Sequence, residues 1–505
     1  EGTNLTQKLK DIGTPSEFWE YFEQISKIPR CSGNEKLIRK YIEQEAKNFG
    51  FETEIDRIKN LVVKIPSKQK KKNNLKIVLQ CHMDMVCEKN EGLIHDFSKD
   101  PLKLKIFKID NEKWLTAEGT TLGADNGVGI AYLLTLMKKI YHNELDFGSL
   151  ALNLLFTVNE ERGLSGAFRI NENFIDGNYL INLDSEDDNK FTIGCAGGIN
   201  TDADIKFKWE NIDDYINNVL PVKLSIKGLI GGHSGVDIHK NRENAIKKLA
   251  QILWKINNKY SVYLNSINGG NLPNAIPREA SSIFFIDYAD FSELKEYSDQ
   301  VMSEIKSFTS NREPHMEIKI ERLKEFQEKK ILPKKVQEKL FHILYMIPSG
   351  PISYHPKIPN LVYTSTNLAS IRTKDGLIKI ITSQRSLNEN SKKVIYEKIE
   401  ELFNLAEINI NIAHPGDYPG WEPDFKSTLL TISKDIYKEL FHKEPIVKVI
   451  HAGLETGILK KKFPDLEMIS IGPTMANGHS PDERLKISSI DKFWTFLINL
   501  LKNLN

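Results

Sequence analysis

LKIVLQCHMDMV, residues 75–86, carries an apolar run straight into a histidine and an aspartate two positions apart. The run LKIVLQ lacks the polar alternation of a half-exposed strand. It reads as a strand buried on both faces, the kind that belongs to a helix-covered α/β sheet. The CEKN that follows reads as a turn. A His-x-Asp pair at such a strand end fits packing, a metal site or a catalytic dyad, and the rest of the chain has to decide.

Working outward, NLVVKIP (60–66), LALNLLFTV (150–158) and NYLINLD (178–184) have the same buried-strand texture. Between them NGVGIAYLLTLMKKIY (126–141) has helical spacing, and upstream CSGNEKLIRKYIEQEAKNFG (31–50) reads as a helix. In that helix Ser32 and Glu35 fit a capping box, and Gly50 fits the C-terminal stop. Apolar strands alternating with helices predict an α/β domain whose sheet is covered on both faces.

Near residue 200 the pattern changes. PVKLSIKGL is an alternating, half-exposed strand, NRENAIKKLAQILWKI a helix, ASSIFFIDY a strand and SELKEYSDQVMSEIKSF a charged helix. The same order recurs as LVYTSTNLASIRT, LIKIITSQRS and SKKVIYEKIEELFNLA. Two rounds of strands and helices predict an inserted α+β domain made of two similar halves. HPGDYPGWEP (414–423), with three prolines and two glycines, reads as a linker, after which PIVKVIH and LEMISIGP return to buried-strand texture. The expected organisation is a first part of a metal-binding catalytic domain at 1–200, an inserted lid at 201–414 and the second part of the catalytic domain at 415–505.

A chain of 505 residues exceeds what one core supports, so at least two domains are expected. Hydrophobic residues at 40%, charged residues at 27% and a formal net charge of +1 fit a globular protein with no nucleic-acid or membrane partner. The basic run KQKKKNN (68–74) lacks aromatic residues and reads as a solvated hairpin turn. The N-terminal stretch carries no apolar signal region, and no run reaches the roughly 18 apolar residues of a membrane span. The four cysteines, Cys31, Cys81, Cys87 and Cys195, form no CxxC and do not resemble a secreted disulfide framework. A cytoplasmic protein is expected.

Polar residues gather just past the apolar strands. They are His82 and Asp84, then Glu160 and Glu161, then Asp184, and finally His479 downstream of LEMISIGP. Asp125, in TTLGADNGVG, opens a helix. Taken singly, a strand-end histidine is usually a hydrogen-bonded loop residue, an aspartate before a helix is a cap, and a Glu-Glu-Arg-Gly turn is a solvated corner. Together they require several coincidences, because in α/β sheets the carboxyl ends of the strands form the ligand crevice. Two carboxylates about 4 Å apart repel by roughly 4 kcal/mol at an effective dielectric of 20. Asp125, Glu161 and Asp184 in one crevice therefore call for protons or cations. Two imidazoles with carboxylates suit two zinc ions, with manganese or cobalt as substitutes, held about 3.5–4 Å apart by a bridging carboxylate. Glu160, beside the site but outside the ligand set, is placed to take a proton from water, and Asp84 to fix the tautomer of His82.

HMDMV, GADNG, NEERG, NLDSE and GHSPDE as a set resemble the aminoacylase/carboxypeptidase-type family of co-catalytic zinc peptidases. GGHSGVDIHK, NLPNAIPREA, YPGWEP, HAGLETG and IGPTMANGHSPDERL are similar to its bacterial Xaa-His dipeptidase (carnosinase-like) branch, from about residue 15 to the C-terminus. The resemblance implies a zinc-exopeptidase-like sheet covered by helices and interrupted by the lid. It implies one zinc on His82 and Asp184, a second on Glu161 and His479, and Asp125 bridging. It makes Glu160 the general base and then acid, Asp84 the orienter of His82, and His233 the group that polarises the scissile carbonyl. Asn274 and Arg385 would hold a substrate's terminal carboxylate, although TSQRS around Arg385 matches only loosely. His239, His355, His414 and His451 are left without a role. HKNRENA departs from the pattern, with Asn241 and Glu243 where small residues are expected, and ISYHPKIPN has also drifted. The expected activity is hydrolysis of small peptides, Xaa-His dipeptides favoured. The alternatives are a deacylase or another exopeptidase on the same centre, or a silent binding protein with this fold. Both a monomer and a homodimer are open.

Overall fold

The computed structural model describes residues 9–69 and 74–504, so most of the basic run at 68–74 and the first eight residues lie outside the described part. The chain divides into two compact units. One comprises Glu1–Gly194, Trp421–Val449 and Leu454–Asn505, the other Cys195–Gly420 with Ile450–Gly453. Among the described residues no helix is long and apolar enough to cross a membrane.

The first unit is built on an eight-stranded sheet in the order Glu52–Ile55, Leu61–Ile65, Ala151–Thr157, Lys76–His82, Tyr179–Asn182, Glu467–Ser470, Lys190–Cys195, Ile446–Ile450. The four strands from Ala151–Thr157 to Glu467–Ser470 run parallel to one another. Every residue of Lys76–His82 after the first is buried, as is every residue of Ala151–Thr157 after the first. Helices must therefore cover both faces, which is why the sequence runs are continuously apolar. The helix Ala124–Tyr141 is buried along most of its length and packs on Lys76–His82. A Cβ at Gly129 would lie 2.5 Å from Cys81 Cβ, so a glycine is needed where helix and strand approach this closely. Helix Ser16–Ile25 adds Phe18 against Tyr132, ring centres 4.5 Å apart. The terminal helix Ile487–Asn503 and helix Thr428–Phe441 enclose an aromatic cluster of Phe191, Tyr437 and Phe496. Each such ring buried contributes about 1.5–3 kcal/mol over leaving it in water.

Register carries the site residues to one edge. His82 lies opposite Thr157 and Gln80 opposite Asn182, so the chain leaves all three strands within two residues of one level. A second sheet of four strands, in the order Met475–Ala476, Arg484–Lys486, Glu112–Ala117, Leu104–Ile109, supports the hairpin loop that carries His479.

The second unit has one larger sheet in the order Glu317–Arg322, Val219–Lys227, Ala280–Asp287, Tyr263–Gly269, Val362–Lys374, Leu377–Ser386, Gly197–Lys206, Ile410–Ala413. Numbered in chain order within each half, the strands run 4-1-3-2 and then 2-3-1-4. The sheet is thus two βαββαβ-like halves joined back to back, the second half taking its first strand from ahead of the first half. The halves meet at Gly269 opposite Ile371. Val219–Lys227 alternates, with Val222, Leu224 and Ile226 turned into the core. Asn244 and Asn388 cap the helices Ala245–Asn257 and Glu389–Asn404.

Two local expectations are corrected. The helix near residue 31 runs only Lys36–Asn48 and has no side-chain cap. Ser32 donates instead to Asp84 at 2.7 Å, and Glu35 accepts from the backbone N–H of Gly33 and Asn159. A long-range carboxylate thus takes the hydroxyl that a capping box would use. Cys31 and Cys87 are joined in a disulfide, for which their irregular spacing gave no signal, while Cys81 and Cys195 take no part in a disulfide and are buried.

Candidate metal centre

His82 is 1% exposed, because it is still a residue of the buried strand when the chain turns. Its Nδ1 lies 3.1 Å from the backbone carbonyl of Asp84 and 3.5 Å from the Asp84 carboxylate. Its Nε2 points at Asp125, 2.9 Å away, and at Asp184, 3.3 Å away. Asp125 presents its other oxygen to His479 Nε2 at 3.1 Å. The same His479 nitrogen lies 3.0 Å from Glu161. One carboxylate therefore faces a different imidazole with each oxygen, from the start of a helix that follows Gly123. His479 adopts left-handed φ of 63°, a conformation rare outside glycine that concentrates at functional sites.

The Asp84 carboxylate is fully buried and does more than face an imidazole. It accepts from the backbone N–H of Glu160 at 3.0 Å and of Glu161 at 3.2 Å, besides Ser32. It thereby fixes the turn that presents both glutamates.

The electrostatics are those of a crowded anionic cage. Burial opposes charge on His82, but Asp184 and hydrogen bonds to Asp125, Asp184 and Asp84 raise its pKa well above the ordinary imidazole value. Hydrogen bonds to Asp125 and Glu161 push His479 up to about 11. Burial pushes Asp184 up to about 8, with the Asp125 charge adding to it. Burial also opposes ionisation of Asp125, but its two histidine partners outweigh it and hold the carboxyl well below its usual range. Burial raises Glu160 well above the carboxylate range.

Three donor sets lie with their ligand atoms within 4.8 Å of one another: His82, Asp125 and Asp184; Asp125, Glu161 and His479; and His82, Glu160 and Glu161. The first two share Asp125. Glu161 Oε1 is buried without a hydrogen-bond partner, an orphaned acceptor of the kind a cation satisfies. Two imidazoles and three carboxylates around a shared oxygen pair fit a pair of divalent ions.

His233, Asn274 and Arg385 lie in the second unit. His233 Nδ1 accepts from the backbone N–H of Gly235 and Val236, at 3.1 and 3.0 Å, so the ring carries its proton on Nε2. Burial, then Arg385, lowers its pKa, which keeps it neutral. Its strand pairs with Ala275–Ile276, and Ser234 N–H donates to the Asn274 carbonyl at 2.8 Å. Arg385 is 7% exposed and donates to the Tyr418 hydroxyl, leaving its Nε without a partner. His451 Nε2 shares a hydrogen bond of 2.7 Å with Ser365, and its Nδ1 has no partner.

Beneath the metal-centre strands lies a polar network that sequence reasoning missed. Glu455, 2% exposed, accepts from Gln80 at 2.7 Å and from Thr157 at 2.9 Å, and Asn182 donates to Gln80 at 2.6 Å. Burial pushes Glu455 up to about 7. The motif HAGLETG contains it, but nothing in those letters marks an interior carboxyl.

Residues 60–220 match the model of Peptidase family M28, and residues 224–313 match a peptidase dimerisation domain. The chain is 34% identical, over 97% of its length and 98% of the relative, to the cytosol non-specific dipeptidase of Escherichia coli. It belongs to the aminoacylase/carboxypeptidase-type metallopeptidase family. The aminoacylhistidine dipeptidase of Vibrio alginolyticus is 32% identical over 99% of this chain and 98% of that one, with a TM-score of 0.88. An aminopeptidase from Bacillus cereus shares the fold at a TM-score of 0.57 and 13% identity, over 98% of this chain and 99% of that one. This metallopeptidase therefore has the family's helix-covered sheet with its inserted second domain.

Proposed function

We propose that the protein hydrolyses dipeptides at a binuclear centre, Xaa-His dipeptides among them. The observation that carries this is Asp125, one oxygen toward His82 and the other toward His479, with Glu160 adjacent and outside the two triads that share it. Two full-length relatives above 30% identity are a non-specific dipeptidase and an aminoacylhistidine dipeptidase, which supports a free dipeptide as substrate.

His82 and Asp184 would hold one ion, Glu161 and His479 the other, with Asp125 between them. Zinc suits this donor set best, and manganese or cobalt can replace it. When bound, the ions supply Lewis acidity that brings the pKa of water from 15.7 to about 7. Glu160 takes the proton from the attacking water on its carboxylate and delivers it to the leaving amine nitrogen. The Asp84 carboxylate holds the Glu160 backbone in place for this transfer. His233 offers its Nε2–H to the carbonyl oxygen as negative charge develops there. Asn274 and Arg385 would hold the substrate's free carboxylate, which confines cleavage to the last peptide bond because an internal residue has none. We place the protein in the cytoplasm, like the Escherichia coli relative. There the Cys31–Cys87 pair would be held as thiols by the reducing pool.

The test is a panel of Xaa-His dipeptides, other dipeptides, N-acetyl amino acids and tripeptides, run with wild type and E160Q. Dipeptides should turn over fastest, and E160Q should lose 10²–10⁴-fold in kcat while retaining its metal. Faster turnover of acetylated amino acids would make the protein a deacylase. A wild-type protein carrying two ions and cleaving no member of the panel would make it a binding protein.

A further inference from the structure

Two charged side chains are buried beside the bridging loop and have no part in the mechanism above. Glu483 is 2% exposed and lies four residues after His479, on the same hairpin loop. Its carboxylate accepts three backbone N–H groups of one segment. Oε2 takes those of Leu122 at 2.8 Å and Gly123 at 2.9 Å, and Oε1 takes that of Asp125 at 3.2 Å. Its own carbonyl accepts from the Thr116 hydroxyl at 2.7 Å, which pins the residue to the four-stranded sheet. Arg30, also 2% exposed, grips the same segment by a carbonyl. It donates to the Gly123 carbonyl, to the Met83 carbonyl at 3.3 Å and to the Asp84 carbonyl at 3.2 Å. A Cβ at Gly123, whose φ is 67°, would come within 2.5 Å of the guanidinium. The glycine of GADNG thus serves this approach as well as the turn.

A buried carboxylate is costly unless its oxygens are hydrogen-bonded, and here every donor is backbone of the loop that ends in Asp125. Such a group adds no apolar packing. What it fixes is where the loop lies. Through Glu483 the bridging carboxylate is tied to the loop of His479, and through Arg30 to the segment of His82 and Asp84.

We propose that Glu483, with Arg30 on the same loop, is a positioning residue that sets the bridging carboxylate at the spacing two ions need, so that its loss impairs uptake of the second ion. This rests on the binuclear reading above. In E483Q the amide NH2 must replace one of the two accepting oxygens and face a backbone N–H, so the volume is kept and the grip is broken.

The experiment titrates metal-free wild type and E483Q with Mn(II) alone, following binding by calorimetry and the ion pair by electron paramagnetic resonance. Wild type should take up two ions and give the spin-coupled signal of a close pair. E483Q should bind its first ion as wild type does and its second 10–100-fold more weakly. At equal loading it should give the uncoupled signal, and raising Mn(II) should restore coupling. Its kcat for a dipeptide should fall with KM unchanged. An E483Q protein with wild-type affinity for both ions and the coupled signal overturns the proposal. So does one that loses both ions together with the stability of its metal-free form, since Glu483 would then be an anchor of the fold. If E483Q does not fold, E483D, which keeps both oxygens but shortens the reach by one methylene, is put through the same titration and judged by the same results. A wild type that takes up one ion overturns both the proposal and the binuclear reading, whereas a wild type with two ions and an unaffected variant overturns the proposal alone.

Discussion

Loading the metal-free protein with divalent ions at pH 7 should expel roughly three protons per chain. His479, pushed up to about 11 by Asp125 and Glu161, carries a proton at that pH. So does His82, which its carboxylate neighbours hold well above the ordinary imidazole value. Asp184, pushed up to about 8 by burial, is about nine-tenths protonated. Asp125, held low by its histidines, has no proton to lose. All three protonated groups must give up their protons to bind a cation, and the count rises toward four where the ions also draw off the proton that burial leaves on Glu160. The three sites titrate as one interacting set, so the observable is the total. Zinc is added to metal-free protein in weak buffer with a pH indicator, or by calorimetry in two buffers of different ionisation enthalpy. The overall affinity for the pair should climb by about three orders of magnitude per pH unit below pH 7 and less steeply above 8, as Asp184 ionises. Release of less than one proton, or affinity flat between pH 5 and 8, would mean that the cage holds no protons and would refute the crowding argument.

In the metal-free protein the same groups bind protons more tightly folded than unfolded, so stability falls as pH rises. The Asp184 contribution is lost between 3.8 and about 8, and that of His479 between 6.5 and about 11. The thermal midpoint of metal-free protein should therefore drop from pH 6.5 to 9, and a rising midpoint would contradict this. D84N must turn an NH2 toward the backbone N–H of either Glu160 or Glu161. It should lose about 1.5–3 kcal/mol of stability in denaturant unfolding and roughly 10–100-fold in activity, and wild-type values for both would contradict the assigned contacts. In protein purified in air the Cys31–Cys87 bond should be formed, so denatured, unreduced protein should titrate two thiols, those of Cys81 and Cys195. Reduction should then cost up to about 4 kcal/mol, from opening a loop of 56 residues. Four thiols before reduction would show that the pair is not bonded.

How much of this was legible depends on how local the cause is. Lys76–His82 and Ala151–Thr157 are buried on both faces, so their letters are continuously apolar and the residues just past them stand out. His82, Asp125, Glu161, Asp184 and His479 could be named from strand ends and family motifs, and the structure brings them together. The failures are long-range. Ser32 reads as a cap until Asp84, 52 residues away, takes its hydroxyl. Glu483 and Arg30 have the letters of surface residues, and only the loop 122–125 closing over them makes them interior. Glu455 meets Gln80 from 375 residues away. The two halves of the second unit were visible as a recurring pattern, but not that the second half borrows Gly197–Lys206 from ahead of the first, because strand order is decided by pairing rather than by any one strand's composition.

Crystals of zinc-loaded protein, measured on both sides of the zinc absorption edge, test the central claim most directly. The anomalous difference map should hold two peaks about 3.5–4 Å apart, one contacting His82 and Asp184, the other Glu161 and His479, with Asp125 touching both. A single peak, or two that Asp125 does not bridge, would contradict it.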